Sequence, residues 1–300
     1  RGSAYPLGAG RGLQYENHGR KLTMDPAPQE RWTADAAAPL SIDAIRAGLT
    51  DLRFARKIHY FARIDSTNVY ARRRAEEGAP EGEVVIADEQ THGKGRLGRP
   101  WVSPPRANVY LSLILRPELA PTQVSQLTFT AAVALAETVQ SFAGASPEIK
   151  WPNDILIDGK KLAGILSECS VQSGRVLYAI LGIGVNLNYS KALMPEEIRN
   201  RATSLMAVLD RSVDRNLFAG LLIRSLERCY LDLSTAGFGP MALRWEGFFK
   251  LNGKRVRVEM VDQTVHGIVR GVDPEGALLV EDHSGLTRRV VAGDVIPAEC

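Results

Sequence analysis

Several things are scarce in this chain of 300 residues, and each scarcity removes a class of protein. Only three cysteines occur, Cys169, Cys229 and Cys300, widely spaced and with no CxxC pair. A disulfide framework and a structural zinc site are therefore not expected, and a reducing cytoplasm fits best. No apolar run approaches the roughly 20 residues of a membrane-spanning helix. The N-terminus lacks the apolar core of a secretory signal. Charge of one sign is also scarce. Lys and Arg number 37 against 34 Asp and Glu, and a net +3 does not announce a nucleic-acid binder. Internal repeats and low-complexity tracts are absent.

What remains is the composition of a soluble globular protein, 45% hydrophobic and 24% charged. The length suggests one large domain plus a small one. Residues 1–23 are rich in Gly and Arg with one acid, Glu16. They faintly resemble a transit peptide, but a vector-derived or upstream extension before Met24 explains them better. Residues 1–39 are set aside as an extension, disordered or non-native, leaving 40–250 as the main domain and 251–300 as a second.

Ser41 opens a short helix over Ile42, Ile45 and Leu49. Strands are expected at Ile58–Ile64, Glu83–Asp88 and Asn108–Leu115, the last alternating through Val109, Leu111 and Leu113. Ser66-Thr67-Asn68 offers N-cap side chains to a helix that Gly78 ends. Thr122 is expected to cap a long helix to Ser141. A β-meander follows: Asp154–Ile157, a turn at Asp158-Gly159, Lys161–Glu168, a turn at Ser173-Gly174, and Val176–Val185. Helical patterns run from Arg215 to Leu233 and from Pro240 to Phe249. Beyond Leu251, short strands at 255–258, 265–272, 277–281 and 288–291 predict a small all-β barrel. The fold class is α+β.

Chemistry concentrates in two stretches. Gly93-Lys94-Gly95-Arg96-Leu97-Gly98 matches GxGxxG in letters, but Pro100, Pro104 and Pro105 block the helix that a dinucleotide site requires. No Gly-Lys-Ser/Thr makes it a P-loop. The remaining functional reading is a mobile lid. Its glycines admit a ligand to the backbone while Lys94, Arg96 and Arg99 neutralise phosphate. A solvated basic loop has the same composition. Trp101 favours the lid, since its indole could stack on a base, whereas His92 reads as solvent-exposed. The second stretch is Lys150-Trp151-Pro152-Asn153-Asp154 with Lys160-Lys161-Leu162-Ala163-Gly164 across the hairpin. Trp151 and Pro152 read as structural, and Asn153 and Asp154 sit where a strand stops. Strand alternation turns one lysine of the pair inward and one outward. Gly164 permits close backbone approach. The glycines of Gly182-Ile183-Gly184-Val185-Asn186 leave room for a flat ligand or permit tight packing.

Taken in order, Ser66-Thr67-Asn68, Gln90, Gly93 to Gly98 with Arg99 and Trp101, Lys150 to Asp154, Lys161 to Leu166, and Gly182-x-Gly184-x-Asn186 resemble the biotin protein ligases over about residues 55–300. The resemblance implies a mixed β-sheet flanked by helices, class II synthetase-like, with an SH3-like C-terminal barrel. It implies condensation of biotin with ATP to biotinyl-5′-AMP, then transfer to a lysine of the biotin carboxyl carrier protein of acetyl-CoA carboxylase.

By motif, Ser66, Thr67, Asn68, Gln90, Lys94, Gly95, Arg96, Lys161 and Gly164 would bind biotin. Arg96, Arg99, Trp101, Asn153, Lys161 and Asn186 would bind ATP and adenylate, and Lys161, Asp154 and Arg96 would carry the chemistry. Lys94 stands where many members have arginine, which replaces a planar fork by a point charge. Magnesium would arrive on the ATP phosphates, with no protein metal site. Only one helix fits between Met24 and Ser66, so the ligase-only class without a DNA-binding domain is expected, as monomer or homodimer, with no DNA and no membrane partner. The alternatives are a lipoate or octanoate ligase of related fold and, from another class, a nucleic-acid-binding regulator.

Overall fold

Seven strands form the main sheet: β1 (Ile58–Phe61), β2 (Val84–Ala87), β3 (Val109–Leu115), β4 (Glu148–Lys150), β5 (Asp154–Ile157), β6 (Lys160–Gln172) and β7 (Arg175–Val185). Their order is β1-β2-β3-β7-β6-β5-β4. Only β1 and β2 run parallel, so the sheet is mixed as expected. In the computed structural model, residues 38–47, 49 and 52–298 are described. Residues 1–37, most of the 1–39 extension, lie outside the described residues. Residues 38–40 are fixed: buried Arg215 donates to the Ala38 carbonyl at 2.5 Å and to Asp88 at 2.8 Å, and Leu40 N–H meets the same carboxylate.

Alternation along the strands explains the two layers. Val109, Leu111, Leu113 and Leu115 of β3 and Ala179, Leu181, Ile183 and Val185 of β7 share one core. It also contains Ile45 of α1 (Ile42–Arg46) and the helices α3 (Ser125–Ala143), α6 (Arg215–Ala236) and α7 (Phe238–Phe248). Trp245 of α7 is fully buried there, 4.6 Å from Phe129 and 4.4 Å from Phe249. The opposite face of β3 and β7 packs against α2 (Thr67–Glu76) through Ala71, Ala75, Ile114 and Ile180. The site lies on this second face, where the sheet extends beyond the cover of α2.

The C-terminal strands are β8 (Arg255–Glu259), β9 (Thr264–Val272), β10 (Leu278–Glu281), β11 (Thr287–Val290) and β12 (Asp294–Pro297). They form an antiparallel sheet ordered β11-β10-β9-β8-β12, the SH3-like module. Strand β12 had no sequence signal, and neither had the short helices α4 (Glu196–Arg199) and α5 (Leu205–Leu209). Two boundaries differ from expectation. Strand β1 stops at Phe61, and Ile64 returns only as an isolated bridge to Gln90. Thr122 does not cap α3. It lies in a 3-10 turn over Pro121–Gln123, and α3 begins at Ser125, whose hydroxyl donates to the Glu275 carbonyl of the C-terminal sheet.

Candidate active site

The floor is set by register. Tyr110, Gly184, Gly164 and Asp154 stand side by side across β3, β7, β6 and β5. Two neighbouring glycines remove side chains from the middle of this row, so the sheet itself is hollowed. The hollow is occupied in part by Trp101: a Cβ added at Gly184 would lie 2.4 Å from its indole nitrogen, and one at Gly164 would lie 3.0 Å from its ring. The second glycine of β7 is used differently, because a Cβ at Gly182 would lie 2.2 Å from the Asn68 amide oxygen.

Lys161 reaches this face by a device that simple alternation does not foresee. Between Ile155 and Leu156 the β5–β6 register shifts, so that Asp154 faces Gly164 while Leu156 faces Lys161. The bulge buries both Leu162 and Ala163 in the helix-side core. Lys161 and Gly164 consequently point the same way, re-aimed as bulges beside functional sites commonly do. Lys160 is left exposed. The Lys161 ammonium lies 2.8 Å from an Asp154 oxygen and 5.3 Å from the centroid of the Trp101 ring.

The glycine-rich loop folds on itself. Trp101 N–H donates to the Gly93 carbonyl at 2.8 Å, Gly95 N–H to Arg99 at 2.7 Å, and Lys94 bridges Pro100. Leu97 and Gly98 turn the tip with φ of 56° and 73°. The only helical turn is 3-10, over Arg96–Gly98, consistent with the prolines barring a dinucleotide-type helix. Arg96 donates to the Asn153 side-chain oxygen at 3.2 Å, and Asn153 donates in turn to the Ile165 carbonyl. Burial pushes the Arg96 guanidinium below its ordinary range, against the opposing pull of Asp154 and Asp294. Arg99 donates to Asp294 of β12 at 2.7 Å, so the C-terminal module reaches the groove. His92 is exposed and contacts Thr91.

At the other end, Ser66 opens α2 without a side-chain capping bond. Thr67 gives its N–H to Gln90 at 2.8 Å, and its hydroxyl lies 3.0 Å from the same oxygen. Gln90 also donates to Ser103, which donates to the Trp101 carbonyl. Ser112 of β3 touches both Thr67 and Asn68, and Asn68 donates to Glu168 of β6 at 2.7 Å. Asn186 is committed to Thr203 and Asn108.

All fourteen sequence-predicted residues, from Ser66 to Asn186, line one cavity of about 220 Å³. Four lining side chains are cationic, Lys94, Arg96, Arg99 and Lys161, against the two carboxylates Asp154 and Asp294. A net positive, partly apolar groove suits a ligand with an uncharged ring and an anionic end. Ser112, Glu168 and Asp294 were missed. For Ser112 a signal existed, a small hydroxyl residue amid the apolar run of β3. The other two look like ordinary surface acids. Among the described residues no group of three His, Cys, Asp or Glu could hold a metal, and no helix is long and apolar enough to cross a membrane.

A model of the biotin/lipoate A/B protein ligase family matches residues 60–186, and one of the biotin protein ligase C terminal domain matches residues 252–296. The bifunctional ligase/repressor BirA of Bacillus subtilis is 38% identical over 256 residues, covering 85% of this chain and 78% of its own. The biotin–[acetyl-CoA-carboxylase] ligase of Mycobacterium tuberculosis is 36% identical over 247 residues, covering 80% and 89%. Among solved structures, biotin protein ligase from Aquifex aeolicus in complex with biotin and ATP superposes with a TM-score of 0.70 at 25% identity, covering 82% of this chain and all of that one.

Proposed function

The chain belongs to the biotin protein ligase family and has biotin–[acetyl-CoA-carboxylase] ligase activity; from that premise we propose how the groove divides the work. Ser66, Thr67, Asn68 and Gln90 bind the biotin ring, and Gly164 gives its tail close access to β6. Lys94, Gly95 and Arg96 close over it. Arg99, Trp101, Asn153 and Asn186 hold the nucleotide. Lys161 brings the biotin carboxylate and the α-phosphate together. Two anions must meet for the acyl–adenylate bond to form as pyrophosphate leaves, so a fixed cation at their junction lowers the barrier. Asp154 then orients and helps deprotonate the acceptor lysine of the carrier protein. The observation that carries this reading is the surplus of cations converging on a glycine-hollowed floor beside an uncharged hydrogen-bonding end.

Magnesium is part of the proposal. Asp154 and Asp294 are already paired with Lys161 and Arg99, so the ion would be held mainly by the ATP phosphates and would offset their negative charge. The division at residues 250 and 251, the ligase-only class and a cytoplasmic setting are likewise proposed. The modest net charge supports the second, and the free thiols of Cys169 and Cys229 support the third. Retention of the chain by immobilised DNA duplexes would count against the ligase-only class. The first family model spans biotin and lipoate ligases alike, and the C-terminal match favours biotin. The test is intact-mass measurement of a carrier domain after incubation with the chain, ATP and either biotin or lipoate. Labelling that requires biotin and ATP supports the assignment, and modification by lipoate alone contradicts it.

A further inference from the structure

Resting on that reading of the ring end, we propose that Glu168 is a positioning residue. It fixes the direction of hydrogen-bond donation along Asn68, Ser112, Thr67 and Gln90, leaving the second lone pair of the Gln90 oxygen open to the ring N–H of a ligand.

The argument is a count of protons. Glu168 accepts from the Asn68 amide nitrogen at 2.7 Å, and a carboxylate has no proton to give in return. The two ends of an amide are nearly equal in size, so partners alone decide which way it lies. Glu168 therefore turns the Asn68 oxygen toward Ser112, 2.6 Å away. That oxygen only accepts, so it takes the single Ser112 proton. Ser112 also stands 2.8 Å from the Thr67 hydroxyl, which stands 3.0 Å from the Gln90 oxygen, another pure acceptor. Three contacts share two hydroxyl protons. Thr67 can serve Ser112 or Gln90 but not both. The Gln90 oxygen already takes the Thr67 N–H at 2.8 Å, so once the Thr67 hydroxyl serves Ser112 what stays open is the second lone pair of that oxygen. A ligand N–H fills it.

Without Glu168 the count changes. A reversed Asn68 donates to Ser112, Ser112 to Thr67 and Thr67 to Gln90, and the chain closes on itself. Gly182 gives the Asn68 amide its place against β7, since any Cβ there would overlap the amide oxygen. The bland alternative is that Glu168 merely ties α2 to β6, which would affect stability and all substrates alike.

The test uses the full chain and biotin-dependent adenylate formation. Glu168→Leu is expected to raise KM for biotin about tenfold, with kcat and KM for ATP within about twofold, on the scale of one charge-assisted hydrogen bond. Glu168→Gln keeps an acceptor and should restore KM to within about threefold of the parent. Adding Glu168→Leu to Ser112→Ala should cost nothing further, because both act through one chain. Should Glu168→Leu fail to fold, Gly182→Ala displaces Asn68 and should give the same KM signature. Equal changes in both KM values, a loss confined to kcat, or additive single effects overturn the proposal. A parent that makes no biotin-dependent adenylate overturns the underlying reading instead. An active parent with an unshifted Glu168→Leu overturns only the role of Glu168.

Discussion

Lys161 and Asp154 hold each other at 2.8 Å, so each sets the charge the other feels. Lys161→Ala removes the cation and leaves Asp154 to repel both reacting anions. Single-turnover adenylation is expected to fall by about 100-fold or more, the scale of one lost oxyanion donor, while Lys160→Ala stays within about twofold. Equal losses in the two variants would remove the distinction between them. Asp154→Asn separates the half-reactions. It leaves Lys161 in place and should spare adenylation, but it should slow transfer from pre-formed biotinyl-5′-AMP to the carrier. The acceptor lysine is ordinarily protonated below a pKa of about 10.4. Raising the pH supplies more neutral amine, so the deficit should shrink as pH rises. Parallel pH profiles for parent and variant would exclude the role. At this scale the sequence showed which residue types gather but not how they pair. Lys161 could be named by resemblance, yet the bulge that puts it beside Gly164 depends on the register of two strands.

The glycines are best understood through the elements they join. Gly184 admits the indole of Trp101 from the loop, and Gly182 admits Asn68 from α2. Gly184→Ala places a methyl within 2.4 Å of the Trp101 indole nitrogen and should expel the ring from the groove. A red-shifted tryptophan emission and at least a tenfold loss of adenylation are expected, with little change in melting temperature because the loop can move. An unchanged spectrum would show that the indole is not seated there. Legibility varied with length and periodicity. Strand β3 shows alternation over seven residues and β7 is an eleven-residue, largely apolar run after a Ser-Gly turn, and both were legible. Helices α4 and α5 have four and five residues, too few to show a period, and β12 is known only by its pairing with β8.

Across the whole molecule, the C-terminal sheet is fastened to the catalytic part by polar contacts that local patterns cannot reveal. Trp151, fully buried, donates to the Gly276 carbonyl at 3.1 Å, and Gln126 donates to Pro274 at 2.8 Å. Arg99 and Asp294 extend the same attachment to the loop. Trp151→Phe keeps most of the ring but orphans the Gly276 carbonyl. The expected cost is about 1–3 kcal/mol, read as a lower melting temperature and faster amide exchange in β8 to β12. Unchanged exchange there would show that the hydrogen bond does not hold the module.

The central claim is that this groove joins biotin to the α-phosphate of ATP. The most direct measurement is to mix the chain with ATP labelled at the α-phosphate, with and without biotin, and to separate protein from free nucleotide. Label retained only when biotin is present, and discharged when carrier domain is added, is the result this account predicts. Label retained equally without biotin, or never retained by a folded chain, would contradict it.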